Sequence, residues 1–161
     1  MPKLDQLAEI GQSIWLDFLR RGYMDQGELQ SWIDRGLRGL TSNPSIFNNA
    51  IAGSSDYDEQ LKSLVQAGKD TRQIYEAMVF EDIQRACDLL APVYQESAGQ
   101  DGYVSLEVSP AHAHDTQGTI EEVLHFHQSV DRPNLMIKIP ATKEGYPAIE
   151  QMISQGININ I

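Results

Sequence analysis

Hydrophobic and polar positions along this chain switch between two periods. In "DGYVSLEVSP", Asp101 to Pro110, they alternate. Tyr103, Ser105 and Glu107 point one way and Val104, Leu106 and Val108 the other, which predicts a strand. In "DTRQIYEAMVFEDIQRACDLLAPVYQE", Ile74, Met78, Ile83, Ala86 and Leu90 recur near the helical period. "SIWLDFL", Ser13 to Leu19, is a short apolar run that predicts a strand closing at Asp17, followed by the turn-prone "RRGYMDQG". A helix follows in "GELQSWIDRGLRG", with Leu29, Trp32 and Ile33 on one face and Gly36 or Gly39 as stop. "GLRGLTSNPSIF" predicts a second strand, broken at Asn43-Pro44 because proline biases its predecessor away from helix. From Pro44 to about Gln95 the pattern is helical, and "SSDYDEQLKSLVQAG" is expected to start with serine and aspartate caps. "DTQGTIEEVLHFHQSV" reads as a helix with a capping box formed by Thr119 and Glu122. "NLMIKIPAT" predicts a strand, "YPAIEQMISQG" a helix, and "ININI" the start of another strand.

Strands alternating with helices imply parallel pairing and an α/β architecture. A doubly wound sheet usually shows a glycine-rich phosphate loop after its first strand, and "LDFLRRGYMDQG" is not one. A (β/α) barrel fits better, with polar residues at the C-terminal ends of its strands. Such barrels usually need about 250 residues and eight strands. The 161 residues supply five strands at most. The expectation is therefore one domain over residues 1–161, the N-terminal part of a barrel truncated after about five strands.

Composition narrows the partners. The hydrophobic share of 41% is ordinary for a globular chain. A formal net charge of -11 opposes binding to nucleic acid and anionic lipid, but not local recognition of a small anion. The single cysteine, Cys87, falls in a helical pattern and is expected to be a buried structural thiol in a reducing compartment. No apolar run is long enough for a membrane span, so the expected location is cytoplasmic.

The strand ends carry the candidate chemistry, each beside a plainer role. Asp17 and Asn43 sit where caps and turns favour them. Glu107 lies inside an aliphatic run, where a carboxylate is costly unless paired. Asn158 and Asn160 share one strand face. Lys138 is the sharpest: it is either a snorkelling or salt-bridged lysine, or an amine shielded by Met136 and Ile139 that attacks a carbonyl. Lys143, in a polar loop, is an ordinary solvated charge. The pairs His112/His114 and His125/His127 resemble metal ligands, but on a helix such pairs point about 200° apart. No metal site is expected.

Taken together the chain resembles the transaldolase family. The matching stretches are "WLDFLRRG" (Trp15 to Gly22), "GLTSNPSIF" (Gly39 to Phe47), "DGYVSLEVSP", "HDT" (His114 to Thr116), "RPNLMIKIPATKEG" (Arg132 to Gly145) and "GININI" (Gly156 to Ile161), in family order. The wording is most similar to the longer bacterial members, including those fused to a glucose-6-phosphate isomerase domain. The resemblance implies a (β/α)8 barrel of class I aldolase type. It also implies a transferase that moves a dihydroxyacetone unit from fructose 6-phosphate or sedoheptulose 7-phosphate to an aldose phosphate. This is chemistry of the non-oxidative pentose phosphate pathway, without cofactor or metal. It makes Lys138 the Schiff-base lysine, Asp17 the base at the C4 hydroxyl, and Glu107 the acid that handles protons through a water. Asn43, Asn160 and Thr41 would hold the three-carbon unit. The relay threonine and the phosphate-binding cations are expected from later strands. The competing expectations are a class I aldolase that releases dihydroxyacetone, and an inactive half-barrel acting only by homo-oligomeric association across its strand edges.

Overall fold

The computed structural model describes residues 3–161. Helix α1 (Lys3–Glu9) precedes β1 (Trp15–Leu16), α2 (Arg21–Asp25), α3 (Glu28–Asp34) and β2 (Gly39–Thr41). Three helices follow, α4 (Pro44–Gly53), α5 (Asp58–Gln66) and the long α6 (Thr71–Glu96). Then come β3 (Tyr103–Glu107), a 3₁₀ turn (Pro110–His112), α7 (Thr116–Val130), β4 (Leu135–Lys138), α8 (Gly145–Ser154) and β5 (Ile159–Asn160). The strands pair in parallel in the order β1-β2-β3-β4-β5. Neighbours in sequence are thus neighbours in the sheet, the winding of a (β/α) barrel.

Strand alternation divides the sheet into two unlike faces. Leu40, Val104, Leu106, Val108, Leu135, Ile137 and Ile139 are buried in one core with Val79, Ile83, Ala86 and Leu90 of α6 and with Val123 and Phe126 of α7. The opposite face carries Thr41, Ser105, Glu107, Met136, Lys138 and Asn160, which share register rows. One buried polar side chain ties the layers together. Asn134 donates from Nδ2 to the carbonyls of Cys87 and Gly102, at 2.9 and 2.8 Å. Gly102 has φ +83° and a Cβ there would meet the Tyr94 backbone nitrogen at 2.3 Å, so only glycine fits this entry to β3. Cys87 is fully buried, and that burial pushes its thiol up to about 12.

Three local expectations are corrected. "RRGYMDQG" is not a turn but contains α2, whose first amides are satisfied from elsewhere in the chain: Arg21 N–H donates to Tyr57 Oη at 3.1 Å and Gly22 N–H to Asp56 Oδ2 at 3.0 Å. Helix α5 has no side-chain cap, because Tyr57 holds its N-cap position and Asp56 is committed to Gly22. Helix α7 starts earlier than expected, with Asp115 as the N-cap accepting from Gly118 N–H at 3.0 Å. Thr119 therefore lies inside the helix and its hydroxyl turns back to the Asp115 and His112 carbonyls.

Tyr57 also closes a buried charged knot. Asp82 is wholly buried and accepts from Arg21 Nε at 2.8 Å and from Tyr57 Oη at 2.7 Å. Burial and the neighbouring Asp82 carboxylate push the Tyr57 phenol far above its ordinary value. The knot joins the segment after β1 to α6.

Candidate active site

The C-terminal ends of the strands bring the predicted residues to one rim of the sheet. Asp17 follows β1 and is exposed, Thr41 ends β2, Glu107 ends β3, Lys138 ends β4 and Asn160 ends β5. Glu107, Lys138 and Asn160 stand in one register row across three strands. Thr41 and Ser105 stand in the row one step below.

Lys138 Nζ lies 3.6 Å from Glu107 Oε2, with the side chains 35% and 25% exposed. Neither charge is sealed from water. Of the two neighbours expected to shield Lys138, Met136 shares its face, whereas Ile139 is fully buried among the helices. The backbone around the pair is fixed from both sides. Val108 N–H donates to the Lys138 carbonyl at 3.1 Å, and Ile139 N–H to that of Asn160 at 3.0 Å.

The asparagines differ in how much of each amide is used. Asn43 is the N-cap of α4, its Oδ1 accepting from Ile46 N–H at 2.9 Å, with Pro44 at the first helical turn. The cap sets which end is oxygen, so the amide NH2 is the end left to donate. Asn160 donates from Nδ2 across β4 to Ser105 Oγ at 2.9 Å, leaving its carbonyl oxygen to accept. Asn158 instead donates to the carbonyls of Pro133 and Leu135 at the other end of β4.

Two contributors went unassigned in the sequence. Ser105 is fully buried, and its carbonyl accepts both the N–H and the hydroxyl of Ser42 at 2.9 Å. The alternation that set it on the Glu107 face was the available signal. Trp15 is the other: a Cβ on Gly39 would fall 2.3 Å from its indole ring, so glycine at this β2 position makes room for it. Lys143 is exposed in the loop between β4 and α8, where it was expected. The histidines serve separate surface pairs: His125 Nε2 meets Glu76 at 3.0 Å and His114 Nδ1 meets Glu144 at 3.1 Å. Among the described residues no group of three or more His, Cys, Asp or Glu side chains is arranged to hold a metal ion. No helix among them is long and apolar enough to cross a membrane.

Comparison with known proteins agrees with this geometry. The transaldolase/fructose-6-phosphate aldolase family model matches residues 14–161. A transaldolase of Trichodesmium erythraeum is 49% identical over 97% of this chain and 41% of its own length. A "Transaldolase 2" of Nostoc punctiforme is 50% identical over the same shares, 97% and 41%. A transaldolase of Mycobacterium marinum is 44% identical over 99% of this chain and 43% of its own. The chain thus spans about two fifths of the length of these relatives. A parallel sheet wound in chain order, its polar rim, and a match running from Ile14 to Ile161 lead to one conclusion: the chain belongs to the transaldolase/fructose-6-phosphate aldolase family.

Proposed function

We propose that this chain carries the imine-forming part of a transaldolase, with Lys138 as the nucleophile. The observation that carries the reading is the Lys138–Glu107 pair, an amine and a proton acceptor 3.6 Å apart on adjacent strand ends of a family barrel. The Lys138 ammonium gives up a proton, and Glu107 is the nearest carboxylate to take it. The free amine adds to the C2 carbonyl of fructose 6-phosphate or sedoheptulose 7-phosphate. Loss of water, with the oxygen protonated by Glu107 through a bridging water, leaves the protonated imine.

Asp17 then takes the C4 hydroxyl proton. The C3–C4 bond breaks, its electron pair flows into the imine to give an enamine, and the aldose phosphate leaves. Reversal of these steps on a second aldose phosphate completes the transfer. The NH2 of Asn43, the amide oxygen of Asn160 and the Thr41 hydroxyl hold the hydroxyl groups of the three-carbon unit. That the relatives are transaldolases favours transferase over aldolase.

The test is intact-mass analysis after incubation with fructose 6-phosphate and borohydride. One reduced dihydroxyacetone unit, mapped to Lys138 and absent from Lys138→Ala, is the expected result. A folded chain that gains no adduct, or gains it elsewhere, overturns the assignment.

A further inference from the structure

We propose that Glu122 is a positioning residue: it tethers the backbone after β3 and so holds Glu107 at its distance from Lys138. The inference rests on reading that pair as the reacting groups. Glu122 was expected to complete a capping box, but it sits inside α7, nearly two turns beyond the N-cap. Its carboxylate is 7% exposed, a costly placement unless hydrogen-bonded. Oε2 accepts from the Ser109 N–H at 2.6 Å, a short charge-assisted bond. The nearest basic side chains stand farther off, the Arg72 guanidinium at 3.8 Å and the His112 ring at 3.9 Å, and neither hydrogen-bonds it. Burial and the Glu122 charge also push the neighbouring Tyr75 phenol up to about 12.

The place of that bond gives it leverage. Val108 N–H makes the last ladder bond of β3, so Ser109 carries the first amide past the sheet. Ser109 is two residues from Glu107. The connection borders an open pocket of about 370 Å³, lined also by Glu107, Tyr75, Glu122 and Phe126. A segment beside such a space gains little support from side-chain packing, so the Glu122 bond fixes its place. A change at Ser109 passes through the buried Val108 to the end of β3.

The test follows the Glu107 carboxyl and the Lys138 ε-carbon by 13C NMR titration in the 161-residue chain, with folding checked by circular dichroism. Glu122→Ala is expected to move the Glu107 midpoint by about half a pH unit or more, because the charge facing it is displaced. Glu122→Gln keeps an acceptor of the same shape and is expected to give a smaller shift in the same direction. If the alanine variant does not fold, the glutamine variant decides. An unchanged Glu107 midpoint in the folded variants overturns the proposal. Borohydride trapping with fructose 6-phosphate separates the two readings. A slowing of about tenfold in Glu122→Ala at saturating donor supports the tether. Trapping at the wild-type rate sinks the tether alone, and absence of trapping in the wild type sinks the imine reading while the titration still judges the tether.

Discussion

Lys138 and Glu107 occupy the same register position on neighbouring parallel strands, and their charged ends lie 3.6 Å apart. Parallel pairing makes this closeness a property of the backbone rather than of two long side chains finding each other. The first prediction follows. Lys138→Ala abolishes imine trapping, whereas Lys143→Ala, altering an exposed loop charge, leaves most of it. Glu107→Gln slows trapping at least about 100-fold, as expected for loss of a general acid–base group. Equal losses at Lys138 and Lys143, read by mass spectrometry, contradict the site.

Ser105 is the anchor for Asn160. Ser105→Ala releases that amide, and donor binding weakens while Lys138 remains reactive toward a small aldehyde probe. The stability cost is about 1 kcal/mol, the usual net value of one such bond. A donor concentration dependence identical to wild type would show that Asn160 needs no anchor.

Tyr57 serves Asp82 and the Arg21 amide at once. Tyr57→Phe leaves a buried carboxylate oxygen short of a donor and costs about 1–3 kcal/mol in chemical denaturation. Asp82→Ala strands the Arg21 guanidinium and costs about 3–5 kcal/mol. A Tyr57→Phe chain as stable as wild type would mean that water replaces the hydroxyl.

Glu76 gives a signed pH dependence. Burial opposes its ionisation, but the bonds from Arg72 and His125 outweigh it and hold the carboxyl below its ordinary 4.5. A depressed acid stabilises the fold above its unfolded value, and that contribution disappears as the pH falls through the folded one. Stability of wild type relative to Glu76→Gln is therefore greatest above about pH 5 and shrinks toward zero in stronger acid. A difference that grows on acidification refutes the assignment.

What the sequence revealed was periodic. Alternation in "YVSLEV" located β3 and placed Ser105 and Glu107 on the face opposite Val104 and Leu106, while short apolar runs located its neighbours. What it concealed was tertiary. Helix α2 exists because Tyr57 and Asp56, 36 and 34 residues away, satisfy its first amides, and no local pattern announces that. Glu122 matched a capping signature, yet Asp115 reaches the helix start first and leaves Glu122 for Ser109. Lys138 was read against its sequence neighbours, one of which turned out to face the helices.

The two-faced sheet also limits how this stretch of chain can change. With side chains alternating across each strand, deleting one residue within β4 would swing Lys138 toward the helices and bring Ile137 or Ile139 to the rim. The reactive amine and the apolar core are read from the same four-residue frame, so a shift that loses one loses both. Length variation in this region is then confined to the connections, and β4 itself can vary only by substitution.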